Sequence, residues 1–202
     1  MQWLSEEVLN KYLIKTENDK LSLGDTFKSV PLKIDIGCGN GHFLVDVAKG
    51  EPESFFVGID IKFSRICKCI SKLSKRSIAN ANLYNGRAED FLPLLEDKCV
   101  AEIFYNFPDP WPKRRHHKKR LFTSDFLDTL SRVMKDDAVF TCATDDKDYL
   151  LWMLDCLEND ARFVHSFEEK VVNNLEGYHN TLFEKMWREM GKEIYYYRFI
   201  KS

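Results

Sequence analysis

Leu32-Lys33-Ile34-Asp35-Ile36-Gly37-Cys38-Gly39-Asn40-Gly41 is a short apolar run that ends in an acid and then in glycines at alternate positions. Phe43–Ala48 behind it has helical character. A buried strand that turns sharply into a helix needs residues without a Cβ at the turn, so the stretch reads as strand, tight turn, helix. Outward from it the alternation repeats. Phe55–Ile59 is a second buried strand closed by Asp60, and residues 62–76 have helical periodicity. Leu83–Tyr84 and Val100–Phe107 read as strands, Ser124–Met134 as a helix capped by Thr123 or Ser124, and Ala138–Ala143 as a strand. Lys147–Leu157 reads as a helix and Ile194–Ile200 as a last strand. The pattern predicts an α/β fold: an open, mostly parallel, Rossmann-like sheet with helices on both faces. One domain is expected over residues 1–202, with 1–30 a short helical extension followed by a polar connection from Thr16 to Ser29.

Composition narrows the class. The chain has 202 residues, 44% apolar and 31% charged, an ordinary globular mixture. A net charge of −2 means that any nucleic-acid surface must come from how charge is distributed. Trp3–Tyr12 carries Glu6, Glu7 and Lys11 and does not read as a targeting segment. No stretch approaches the roughly 18 apolar residues of a membrane span. The six cysteines fall mostly in apolar stretches, and Cys67-x-Cys69 stands without a second pair, so no metal site is expected. A reducing, cytoplasmic compartment fits these thiols better than a disulfide framework.

In such a sheet, ligands bind just beyond the C-terminal strand ends. The glycine spacing is G-x-G-x-G, since position 42 is His, and differs from the G-x-G-x-x-G of dinucleotide folds. An acid ahead of it, Asp35, suits a cationic ligand end such as that of S-adenosylmethionine rather than a pyrophosphate. Asp60 at the next strand end can accept from ribose hydroxyls. Asn85–Asp90 should lie beside the adenine, or form only a turn and helix cap.

The most informative stretch is Asn106-Phe107-Pro108-Asp109-Pro110-Trp111-Pro112, followed by Lys113-Arg114-Arg115-His116-His117-Lys118-Lys119-Arg120. Prolines at alternate positions should hold the backbone extended and fix Asp109 between them. Six of the eight residues 113–120 are Lys or Arg, which beside that segment suggests a landing site for phosphates. Lys62, Arg65, Lys68, Lys72, Lys75 and Arg76 should add a basic helix face, or a merely solvated one. Thr181-Leu182-Phe183-Glu184 reads locally as a capping box.

Together these motifs, with Gly58-Ile59-Asp60 and Ala143-Thr144-Asp145, resemble the bacterial tRNA (guanine-N7)-methyltransferase family from about residue 32 to the C-terminus. The resemblance implies a class I methyltransferase that uses S-adenosylmethionine to methylate guanine N7 in the variable loop of tRNA. It implies donor binding through Asp35, Gly37, Gly39, Asp60, Arg87, Ala88 and Asp109, with Asp109 also catalytic. It implies substrate contacts at Lys113, Asp145 and Thr181, Leu182, Phe183 and Glu184. Many members carry an acid where this chain has Arg87, and a glutamate where it has Asp35. The expected partner is tRNA; no obligatory protein partner is evident, and a monomer or a homodimer would serve. An exocyclic-amine methyltransferase, a non-catalytic RNA-binding protein and a nicotinamide oxidoreductase are the alternatives. The acid at Asp109, the intact glycine loop and the glycine spacing speak against each in turn.

Overall fold

The computed structural model describes residues 4–17, 20–21, 29–166, 168–179 and 181–202. Ser5 caps α1 (Glu6–Tyr12), its hydroxyl accepting from the Val8 N–H at 3.3 Å. β1 (Thr16–Glu17) and β2 (Lys20–Leu21) form a small antiparallel pair inside the expected polar connection, and residues 22–28 of that connection lie outside the described residues.

The predicted alternation is present. It runs β3 (Leu32–Ile36), α2 (His42–Gly50), β4 (Phe55–Asp60), α3 (Phe63–Lys75), β5 (Ala81–Asn85), α4 (Ala88–Phe91) and β6 (Val100–Asn106). It continues with α5 (Ser124–Val133), β7 (Met134–Thr144), α6 (Lys147–Glu158), β8 (Phe163–His165), α7 (Leu182–Glu189) and β9 (Tyr195–Lys201). Among the described residues the main sheet has seven strands in the order β5-β4-β3-β6-β7-β9-β8. β3 to β7 pair in parallel, while β9 runs antiparallel to both β7 and β8. The strand order reverses between β3 and β6, which makes the crevice above their C-terminal ends the natural ligand site.

The two sheet faces bury different helices. Phe43, Leu44 and Val47 of α2 and Ile66, Ile70 and Leu73 of α3 pack with Tyr12, Phe56 and Phe104. On the other side Phe91, Leu127, Leu130, Met153 and Leu157 pack with Ile34, Val57 and Ile103. The N-terminal extension covers the β5 edge: Leu13 bridges to Leu83, and the Ile14 N–H donates to the Leu83 carbonyl at 2.8 Å. That removes part of an open pairing edge. In the main sheet two strands differ from the sequence reading. β7 has 11 residues and begins where α5 ends, its exposed Lys135–Asp137 hiding it from an apolar pattern. β8 has 3 residues, too few to show a period.

Gly41 caps α2 at φ +74°, and a Cβ there would collide with the Cys69 side chain of α3. Gly177 has the same φ of +74° with open space around it. Gly41→Ala should therefore cost about 2–3 kcal/mol, the sum of dihedral strain and overpacking, and Gly177→Ala only about 1 kcal/mol. Denaturant midpoints measure both. Equal losses would show that the α2–α3 contact does not limit the glycine loop.

Candidate active site

The turns after β3 and β4 are tied together by backbone donors. The Ile59 carbonyl accepts from the Gly37 and Cys38 N–H groups at 2.8 and 2.9 Å. The Asp60 carboxylate accepts from the Gly39 N–H at 3.1 Å and the Lys62 N–H at 2.7 Å, with the Arg65 guanidinium 3.5 Å away. Lys72 donates to the Asn40 carbonyl at 2.5 Å. Positive φ at Gly37 and Gly39, +75° and +56°, bends the loop while leaving its upper surface clear: a Cβ on Gly39 would meet nothing nearer than the Gly37 carbonyl, at 3.9 Å.

The segment after β6 is bent rather than straight. Prolines predict an extended path, but Phe107 and Trp111 adopt φ of +49° and +47° on either side of Pro108-Asp109-Pro110. Bulky residues avoid this region, so the segment holds backbone strain. The Phe107 N–H donates to the Ala143 carbonyl at 2.7 Å, and the Tyr178 hydroxyl donates to Asn106 Oδ1 at 2.8 Å. Asn106 Nδ2 is buried without a partner. Trp111 lies under the Lys119 ammonium, 4.4 Å from its ring centroid.

Two cavities, of 430 and 460 Å³, meet at this segment. The first runs over Ile36, Asp60 and Gly86–Glu89, and the second over Asp35, Gly39, Asn40, Asp145 and Thr181. Gly37, Arg65 and Asn106–Asp109 line both. Asp35 is only 2% exposed. Its burial, and secondarily the charge of Asp60, push its carboxyl up to about 8.

Most expected residues converge. Asp35, Gly37, Gly39, Asp60, Arg87, Ala88, Asp109, Asp145 and Thr181 all line one cavity or both. Arg87 does so with its guanidinium engaged by Glu89 at 2.6 Å. Asp145 is ion-paired with Lys192 at 2.6 Å, and the Lys192 ammonium sits 3.6 Å from the Trp187 ring centroid. Lys113 is exposed outside both cavity walls. Thr181 and Glu184 form the helix cap: the Thr181 hydroxyl accepts from the Glu184 N–H at 3.0 Å. The Glu184 carboxylate is buried and accepts from Arg188 at 2.9 Å, so in this conformation it braces α7 and does not line the cavity. The side chains of Leu182 and Phe183 lie outside the described residues. The helix-face stripe is divided. Arg65 binds Asp60, Lys72 binds the glycine loop and Arg76 pairs with Asp46, leaving Lys62, Lys68 and Lys75 exposed. Asn106, from the proline motif, helps to complete the walls, as do Trp187 and Lys192, which carry no local motif of their own.

Comparison with known proteins gives concordant matches. A family described as "Putative methyltransferase" matches residues 29–197. The tRNA (guanine-N(7)-)-methyltransferase of Chlamydia felis is 36% identical over 85% of this chain and 76% of its own length. That of Rubrobacter xylanophilus is 30% identical over 85% of this chain and 77% of its own. The crystal structure of the 16S rRNA methyltransferase KamB superposes with a TM-score of 0.67 at 16% identity, covering 94% of this chain and 99% of that one.

The buried acid makes stability depend on pH with a definite sign. In the unfolded chain Asp35 ionises near 3.8, whereas in the fold it keeps its proton up to about 8. Its contribution to stability is complete below the unfolded value and is lost as pH rises through the folded one. Asp35→Asn, which cannot ionise, should raise the thermal midpoint most near and above about pH 8, and little near about pH 4. Parallel midpoint-against-pH curves for the two proteins would show that this carboxyl titrates normally.

Proposed function

Because the chain belongs to the tRNA (guanine-N7)-methyltransferase family, we propose that its two cavities hold S-adenosylmethionine and a guanine of the tRNA variable loop, and that it methylates N7 of that base. The observation that carries this reading is the place of Asp109, in the wall common to both cavities. The residues fit the donor. Asp35 and Asp60 offer two buried acids to a molecule with two cationic groups and a ribose. The surface above Gly39 is open to close approach, and Asn40 Oδ1 is buried in the same loop without a partner. Arg87, with Glu89 and Ala88, would edge the adenine.

S-adenosylmethionine supplies a methyl group on a sulfonium, which is displaced in line. Guanine N7 has an in-plane lone pair and no proton to lose, so the protein has no need of a strong base. Its task is to hold the two reactants in line and to exclude other orientations. Asp109 can accept from guanine N–H groups and lies near the cationic product, where a fixed negative charge is stabilising. Asp145 and Thr181 line the wall on which the base would rest. Asp145 would have to exchange its Lys192 partner to hold the base. Lys113, Arg114 and Lys118 are exposed beside the site and would hold phosphates, which position the RNA without reading it. Among the described residues no helix is long and apolar enough to cross a membrane. The cytoplasm is the compartment we assign, supported by the free cysteines.

Three measurements test this. Nucleoside analysis of tRNA after incubation with enzyme and donor should show N7-methylguanosine as the new product, and methyl on an exocyclic amine would overturn the reading. Asp109→Asn should raise the barrier by roughly two to four kcal/mol, with donor affinity measured in parallel to separate a binding defect from a catalytic one. Replacing Lys113, Arg114 and Lys118 by neutral residues should lower the salt slope of tRNA binding by about one unit for each phosphate no longer neutralised. An unchanged slope would make that loop a merely solvated surface.

A further inference from the structure

The basic loop is not uniform. Arg120, its last residue, is only 6% exposed, whereas Lys113, Arg114, Arg115, Lys118 and Lys119 are exposed. Its Nε–H donates to the Pro110 carbonyl at 3.1 Å. Its guanidinium lies 5.1 Å from the ring centroid of Tyr149 and 5.0 Å from that of Trp152, both on α6. Trp152 is itself anchored, its indole N–H donating to the Phe122 carbonyl at 3.3 Å. Arg120 thus reaches from the end of the loop back to the residue beside Asp109, and it does so from the interior. Neither cavity wall includes it.

We propose that Arg120 is a positioning residue for the methyl transfer: through the Pro110 carbonyl it holds Asp109 at the wall between the two cavities, and it makes no phosphate contact. The proposal rests on the function proposed above. Three features support it. Pro108, Pro110 and Pro112 have no N–H, so this stretch lacks the donors by which a loop usually anchors itself, and its carbonyls are the remaining handles. Phe107 and Trp111 hold strained dihedrals on either side of Asp109, and such dihedrals persist only where the surroundings over-determine them. A guanidinium can donate in its plane while its faces rest on aromatic rings, so one side chain fixes the segment to α6 in both distance and orientation. A lysine ammonium cannot reproduce that pair of contacts.

The test compares Arg120→Gln and Arg120→Lys with the parent, alone and in the Asp109→Asn background. It measures turnover at saturating tRNA and donor, KM for tRNA, the salt slope of tRNA binding, donor affinity and thermal midpoint. Arg120→Gln should lower kcat by about tenfold or more, the scale of a misplaced catalytic group, with KM, salt slope and donor affinity as in the parent. Arg120→Lys, which keeps the charge, should be slowed in the same sense. In the Asp109→Asn background neither change should slow turnover further, because the group being positioned is already disabled. The proposal is overturned if Arg120→Gln keeps kcat but raises KM and flattens the salt slope by about one unit, the signature of a phosphate contact. It is also overturned if the two losses multiply. Should Arg120→Gln melt below the assay temperature, Arg120→Lys is judged by the same criteria. A parent protein that forms no N7-methylguanosine overturns the functional reading, and this proposal with it, before any variant is compared.

Discussion

Two backbone amides from two different turns share the Asp60 carboxylate, and the site is built on that contact. Gly39 N–H comes from the turn after β3 and Lys62 N–H from the turn after β4. Parallel strands that end side by side leave such donors unsatisfied, and a buried one left alone is costly. A single acid at the end of β4 satisfies both and locks the glycine loop against the neighbouring strand. The second consequence is electrostatic. Burial, and secondarily the neighbouring Asp60, push the Asp35 carboxyl up to about 8, so Asp35 keeps its proton in the free protein. A sulfonium and an ammonium brought close to these acids would favour the ionised form. The same acid that holds the loop therefore also prepares the pocket for positive charge.

The opposite wall solves a different problem with different means. Here the chain leaves β6 without amide donors at three proline positions and crosses two left-handed dihedrals. Nothing local to this segment would keep it in place. It is held from outside: by Ala143 on β7, by Tyr178 through Asn106 and by Arg120 at Pro110. These anchors come from separate stretches of chain, so the position of Asp109 depends on completion of the whole sheet. Strain of this kind fits a group that must point into a cavity rather than pack.

Legibility in the sequence followed the range of each interaction. The β3–α2 turn, Asp60 and the proline segment were readable because their chemistry is local: glycine dihedrals, an acid at a strand end, missing amides. The parallel order followed from the alternation of elements. Long-range choices were not readable. Periodicity placed Arg65 and Lys72 on one face with Lys68, yet two of these turn inward to Asp60 and the glycine loop. Thr181 and Glu184 carry the signature of a helix start, and Thr181 is found as the cap while the Glu184 carboxylate accepts from Arg188. Alternate prolines imply an extended path, and the bends at Phe107 and Trp111 arise from tertiary anchors that no local rule contains.

The placement of the basic residues then has a physical reading. Of the basic residues clustered near the site, several are engaged by the protein itself: Arg65 by Asp60, Lys72 by a carbonyl, and Arg120 by two rings and a carbonyl, while the exposed Lys119 also rests on Trp111. Arg120 supplies a donor to the proline segment, and Lys72 one to a carbonyl of the glycine loop. The cations left exposed, among them Lys62, Lys68, Lys113 and Lys118, are fewer than the sequence suggests, but they belong to the helix and the loop that flank the cavity mouth. Weak average attraction with local concentration at the cavity favours an enzyme that must release a long charged product, because every surplus phosphate contact would slow dissociation without aligning the reacting base. In this arrangement some cations hold the protein's own groups, and the exposed ones that remain would be the ones to meet an RNA.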